Sequence, residues 1–165
     1  MKGSSGNPRA ARRPPWLEQV DSALRLQGMA AAAELAIQAL ADGVDHPALL
    51  NLAASARHRE GRFEEAVDLL KRARAQAPRD PHVLNSLGIC LRALGRLDAA
   101  REAYDAAIRA DPRLAAAHFN KGSVLEDLND IKGSLAAYER ASALDPNYVE
   151  PVSSLAWLAA QNGDA

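Results

Sequence analysis

The side chains that most often carry out chemistry are few in this 165-residue chain, and their spacing brings none of them together. The four histidines stand at His46, His58, His82 and His118. No two are three or four residues apart, the spacing that puts paired imidazoles on one helical face for a metal. The single cysteine, Cys90, can form neither an internal disulfide nor a multi-cysteine zinc site. It lies in the apolar stretch from Leu87 to Leu91, where a thiol is expected to be buried and inert. Carboxylates gather at Glu64-Glu65 and between Asp127 and Asp130, beside turns, where they cap helices or favour the helix dipole. The sequence contains neither a glycine-rich phosphate loop nor a nucleophile elbow. It therefore predicts no catalytic residue, no metal and no cofactor, and points to binding.

Composition narrows the partner. Hydrophobic residues make up 48% of the chain but aromatics only 4%, a balance that suits close helix packing through alanine. Charged residues reach 25% and nearly cancel, leaving a net charge of −1. Such a chain has no general attraction for phosphate backbones or anionic membranes, so neither nucleic acid nor membrane is expected as partner. No apolar run is long enough to span a bilayer and no secretory signal opens the chain, which predicts a cytoplasmic setting. Residues 1–13 read as a flexible, added leader. Lys2, Arg9, Arg12 and Arg13 form a solvated tail or a small basic arm there.

The elements that must position any binding side chain show themselves as repeats. Pro47, Pro81 and Ala115 stand 34 residues apart and open three units, 47–80, 81–114 and 115–148. Leu84, Leu87, Gly88, Leu91, Gly95, Leu97, Ala100, Tyr104, Ala107 and Pro112 of the second have counterparts at the same offsets in the others. Each unit reads as a helix–turn–helix hairpin. Asp80 caps the first helix and Pro81 occupies a position whose N–H is not needed. Leu84, Leu87, Leu91 and Leu94 recur at helical spacing. Gly95, or Asn129 in the next unit, supplies the left-handed residue that closes the helix. A second helix follows, with Ala100, Ala103, Tyr104 and Ala107 facing inward, and Pro112 ends the unit. Gly88 and Ala100 are expected to be small because the paired helices approach there. Residues 14–46 keep the phase through Leu17, Val20, Leu24, Gly28, Ala33, Ile37 and Leu40 if that unit is one residue short. Residues 149–165 read as the first helix of a further or capping unit.

This pattern resembles the tetratricopeptide-repeat (TPR) family, through its small–large–small signature, turn glycine and Leu-Asp-Pro-Asn ending at Leu144–Asn147. The resemblance implies an all-α, right-handed α-solenoid of stacked helix–turn–helix hairpins, about four units plus one extra helix, over residues 14–165. It also implies a concave groove lined by first helices and bound to an extended peptide or protein. By resemblance the groove residues are Asn51, Ser55 and Arg59, then His82, Asn85, Ile89 and Arg92, then Phe119, Asn120, Ser123 and Glu126. Asparagine carries both donor and acceptor, so Asn51, Asn85 and Asn120 can hold a peptide backbone, with Ile89 and Phe119 as apolar anchors. The family's two-carboxylate clamp needs basic residues that are missing here. Its asparagine ladder is met in position only by Asn120. Arg57 and Lys121 replace usually apolar residues, and either snorkel or pair with a carboxylate.

Two functions are expected from these features. One is a non-catalytic, protein-binding scaffold. The other is a substrate-docking module of a larger bacterial-type enzyme, a sulfotransferase, glycosyltransferase or oxygenase, whose catalytic domain lies outside this chain. The ending at Gly163-Asp164-Ala165, in mid-hairpin, reads as a fragment's. Leu155, Trp157, Leu158 and Ala159 would then expose an apolar flank open to self-association.

Overall fold

The first N–H groups of a helix lack partners within it, and two of the repeats supply side-chain acceptors for them ahead of Pro47 and Pro81. A computed structural model describes residues 13–162. Most of the expected leader and the final three residues lie outside the described residues. Arg13 is described, and it pairs with Asp21 at 3.0 Å. Asp80 Oδ1 accepts from the His82 and Val83 amides at 2.9 and 3.2 Å, and His46 Nδ1 accepts from Ala48 at 3.2 Å. Each cap precedes a proline at the first helical position.

Nine helices follow among the described residues: α1 (Pro15–Leu26), α2 (Met29–Ala41), α3 (Pro47–Arg59), α4 (Phe63–Gln76), α5 (Pro81–Ala93), α6 (Leu97–Ala110), α7 (Ala115–Asp127), α8 (Ile131–Leu144) and α9 (Val149–Asn162). Each packs on the next. In addition α3 touches α5 and α5 touches α7, while α4, α6 and α8 make no comparable contact with one another. The first helices α3, α5 and α7 therefore form a continuous inner layer and the second helices a separated outer one. The fold is an all-α repeat solenoid.

Turns set the hairpin geometry. Gly95 (φ 70°) and Asn129 (φ 62°) adopt the left-handed conformation. The next residue then returns its N–H across the helix end, Arg96 to the Leu91 carbonyl at 2.9 Å and Asp130 to that of Leu125 at 2.8 Å. The turn between α1 and α2 is a residue shorter, and Gly28 itself donates to Ala23 at 2.9 Å. The one-residue shortening expected from the sequence is not met: α1 runs one residue further instead. The Gly28-to-Ala23 and Ala32-to-Gly28 bonds match Arg62-to-Arg57 and Ala66-to-Arg62 at the full repeat spacing, which leaves Leu24 exposed.

Packing is by size exchange. Tyr104 is 1% exposed, and its ring lies where a side chain on Gly88 would go: a Cβ there would stand 2.4 Å from Cε1. Gly122 and Tyr138 repeat the arrangement at 2.5 Å. The glycine is therefore required by a tyrosine ring from the second helix, which is more specific than the helix approach expected from sequence. Around these pairs the core is mainly alanine, including Ala53, Ala54, Ala66, Ala100 and Ala107. Arg57 and Lys121 both pair with carboxylates, Arg57 with Glu60 at 2.8 Å and Lys121 with Asp105 at 2.7 Å.

The last helix departs from expectation. Leu158 is buried and Leu155 half-buried because α9 packs its face on α8. Trp157, Val149 and Val152 are the large apolar side chains it exposes, and the Ala159 side chain lies outside those described.

Gly88→Ala should destabilise the chain by about 1–3 kcal/mol, because Tyr104 has no free space into which to retreat. Urea unfolding followed by circular dichroism measures this. Tyr104→Leu should recover part of the loss in the double variant, since Ala54 with Leu70 is the equivalent combination in the preceding hairpin.

Candidate functional site

The inner layer leaves one side of α3, α5 and α7 uncovered by other helices, and most of the expected groove residues emerge there. On α3, Asn51 and Ser55 are half-buried and Arg59 is exposed. Ser55 Oγ donates to the Asn51 carbonyl at 3.1 Å, a bond within its own helix. The Asn51 Oδ1 atom is buried and has no hydrogen-bond partner among the described residues. On α5, Asn85 and Ile89 are half-buried while His82 and Arg92 are exposed.

Two polar contacts cross from α5 to α7. Asn120 Nδ2 donates to Asn85 Oδ1 at 3.0 Å. Arg92 grips Asp127 with both ends of its guanidinium, Nε to Oδ2 at 2.5 Å and Nη2 to Oδ1 at 3.2 Å. That contact holds Arg92 more firmly in its charged form than an isolated arginine. Both pairs are 35 residues apart, one more than the repeat. The inner helices are therefore offset, so that neighbours across the groove do not occupy equivalent repeat positions. Asn85 and Asn120 consequently meet although they are one place out of register.

The third helix splits into used and free residues. Phe119 is half-buried and joins an aromatic group, with ring centroids 5.4 Å from Tyr138 and 5.3 Å from Tyr148. Ser123 is only 9% exposed, donates to the Phe119 carbonyl at 3.3 Å and lies 3.2 Å from the Tyr138 hydroxyl. Glu126 accepts from that hydroxyl at 2.9 Å. Burial is the main cause that raises the Tyr138 pKa, so the phenol stays a donor at neutral pH. Ser123 and Glu126 thus hold the core tyrosine rather than facing outward with Asn120.

Between α3 and α5 the surface sinks into a cleft of about 250 Å³, whose walls include Ala54, Ser55, His58, Arg59, Ile89 and Cys90. Cys90 is 2% exposed, and burial pushes its thiol up to about 11. The expected inert thiol is thus also a wall of the cleft. Sequence reasoning missed Met29, which borders the cleft from the start of α2, and Tyr148, which extends the Phe119 aromatic group. Met29 opens the second helix α2 and Tyr148 lies in the segment linking α8 and α9, so neither lies on a first-helix position that a groove register selects. No cluster of three or more potential metal ligands occurs among the described residues. No described helix is long and apolar enough to cross a membrane.

Three family models, each described as tetratricopeptide repeat, match residues 17–81, 57–119 and 115–148. The CTR9 homolog of Arabidopsis thaliana is 32% identical over 142 residues, which are 86% of this chain and 12% of that protein. The protein O-mannosyl-transferase TMTC1 of Mus musculus is 34% identical over 87 residues, 50% of this chain and 9% of that protein. The chain thus spans about a tenth of the length of these relatives. Among solved structures, the first TPR of Spaghetti (RPAP3) bound to the HSP90 peptide SRMEEVD superposes with a TM-score of 0.68 at 18% identity. That match covers 71% of this chain and 93% of the other. YrrB, a TPR protein with an unusual peptide-binding site, gives 0.69 at 19% identity over 84% and 72%.

The walls of the cleft make Cys90 a reporter of the inner layer. With its thiol at about 11 against an ordinary 9.0, the native chain should react with Ellman's reagent at pH 8 at least about tenfold more slowly than the urea-unfolded chain. The folded state also keeps this proton after the unfolded chain has lost it. Stability should therefore fall as pH rises above about 9, and Cys90→Ala should remove part of that fall.

Proposed function

Because the chain belongs to the tetratricopeptide-repeat family, we propose that it is a protein-binding scaffold whose inner face holds an extended polypeptide segment. The units are taken as 47–80, 81–114 and 115–148, flanked by a degenerate one over 14–46 and a lone first helix from 149. The observation that carries the reading is the amide row on the inner layer. Asn120 and Asn85 use one donor and one acceptor on each other. Asn85 keeps its amide hydrogens and Asn120 its carbonyl, a donor and an acceptor side by side. A peptide backbone presents the same two groups. Asn51 continues the row on α3, and Phe119 with Tyr148 offers an apolar surface beside it.

The peptide-bound and peptide-binding relatives in this fold support the same use of this one. The chaperone peptide of one relative ends in acidic residues and a carboxylate, for which the basic members of a clamp are missing here. We therefore propose that the segment is held along its backbone and side chains rather than through a C-terminal carboxylate.

A second reading is favoured by one comparison. The matched part of the mannosyltransferase TMTC1 is 9% of that enzyme, so repeats of this kind occur as modules in a chain named for catalysis. In that reading the inner face presents polypeptide to a catalytic domain encoded with it. Reading the gene past the codon for Ala165 distinguishes the two, since an adjoining catalytic domain would favour the module.

Affinity capture from a native lysate tests the binding face itself. Proteins retained by the parent chain should be lost with Asn85→Ala/Asn120→Ala/Phe119→Ala and kept with the outer-face change Arg74→Ala/Arg109→Ala. Equal retention by both variants would remove the inner face from consideration.

A further inference from the structure

We infer that the segment bound on the inner face is acidic, and that it inserts one large apolar side chain between α3 and α5 and sets an Asp or Glu side chain against Arg59. The inference rests on the inner-face reading above and specifies its ligand. The cleft's lining is mainly apolar, with Met29, Ala54, Leu70, Ile89 and Cys90 among its walls. Its volume of about 250 Å³ accommodates a leucine, methionine or phenylalanine side chain with part of its backbone.

The formal charge at its rim is positive. His58 and Arg59 border the cleft and no carboxylate does. The acidic groups closest in sequence or across the groove are engaged elsewhere. Glu60 is held by Arg57 at 2.8 Å and by Arg62 at 3.2 Å. Asp127 is held by Arg92, and Glu126 by the Tyr138 hydroxyl. Arg59 is exposed and joins none of the ion pairs found among the described residues. A free guanidinium at the mouth of an apolar cleft favours a carboxylate and repels a lysine or arginine.

The two features also share one geometry. Arg59, the last residue of α3, and Ile89 of α5 line the cleft from its two inner helices. A segment lying along the amide row therefore passes a cleft that carries an unopposed cation.

The test pans a random nine-residue library, displayed on phage with each peptide's C-terminus fused to the coat protein, against the whole chain. A selected peptide is then synthesised with fluorescein and its anisotropy followed. The proposal expects enrichment of one Leu, Ile, Met or Phe flanked by Asp or Glu. It expects Kd to rise at least about tenfold with Arg59→Glu, and affinity to return when the peptide's acidic residue is replaced by lysine. In the [¹³C-methyl]methionine spectrum the Met29 resonance should shift on binding. Basic or wholly polar enriched peptides, no enrichment at all, or a Kd changed less than twofold by both Arg59→Glu and Ile89→Asn would overturn it. If those selected peptides nevertheless lose binding with Asn85→Ala/Asn120→Ala, the inner-face reading survives and only the ligand class is wrong. Insensitivity to all of these variants would refute both.

Discussion

The contact on which the architecture depends is a tyrosine ring seated over a missing side chain. Tyr104 on α6 occupies the place of a Gly88 Cβ, and Tyr138 on α8 does the same at Gly122. Interiors are packed at crystal-like density, so such a fit fixes how deep one helix sits against the other. The preceding hairpin reaches a related solution with Ala54 and Leu70, a bigger small residue and a smaller large one. Repeating this exchange each 34 residues sets each hairpin in a similar way, and nearest-neighbour stacking then builds the solenoid.

The same exchange reaches the inner surface. The Tyr138 hydroxyl emerges from the core beside Ser123 and Glu126, and through them tethers the C-terminal half of α7. Side chains spent in this way are unavailable to a ligand. Those left over are the Asn85 amide hydrogens and Asn120 carbonyl, the cation of Arg59 and the apolar walls around Ile89. Core and surface are in this sense one arrangement: what the tyrosine takes determines what the inner face can offer.

Much of this was legible in the residues themselves. Asp80-Pro81 and Gly95 announce a capped helix and its end, and both behave as their chemistry requires. The Gly88–Tyr104 partnership was half-visible: sequence marks both positions as special but not that one fills the other. Two things were hidden for physical reasons. The one-residue offset between neighbouring inner helices arises from how hairpins stack, so the Asn85–Asn120 bond cannot be seen by aligning repeats. Whether Ser123 and Glu126 face outward depends on the reach of a tyrosine 12–15 residues away. Likewise α9 buries Leu158 and exposes Trp157, a rotation that an evenly apolar helix leaves open.

The central claim is that polypeptide lies along the inner layer rather than against the outer helices or the end of α9. Amide chemical-shift mapping of the ¹⁵N-labelled chain with a bound peptide tests it most directly. The account predicts perturbations concentrated on α3, α5 and α7, running from Asn51 through Asn85 to Asn120. Perturbations concentrated on α4 and α6, or around Val152 and Trp157 on α9, would contradict it.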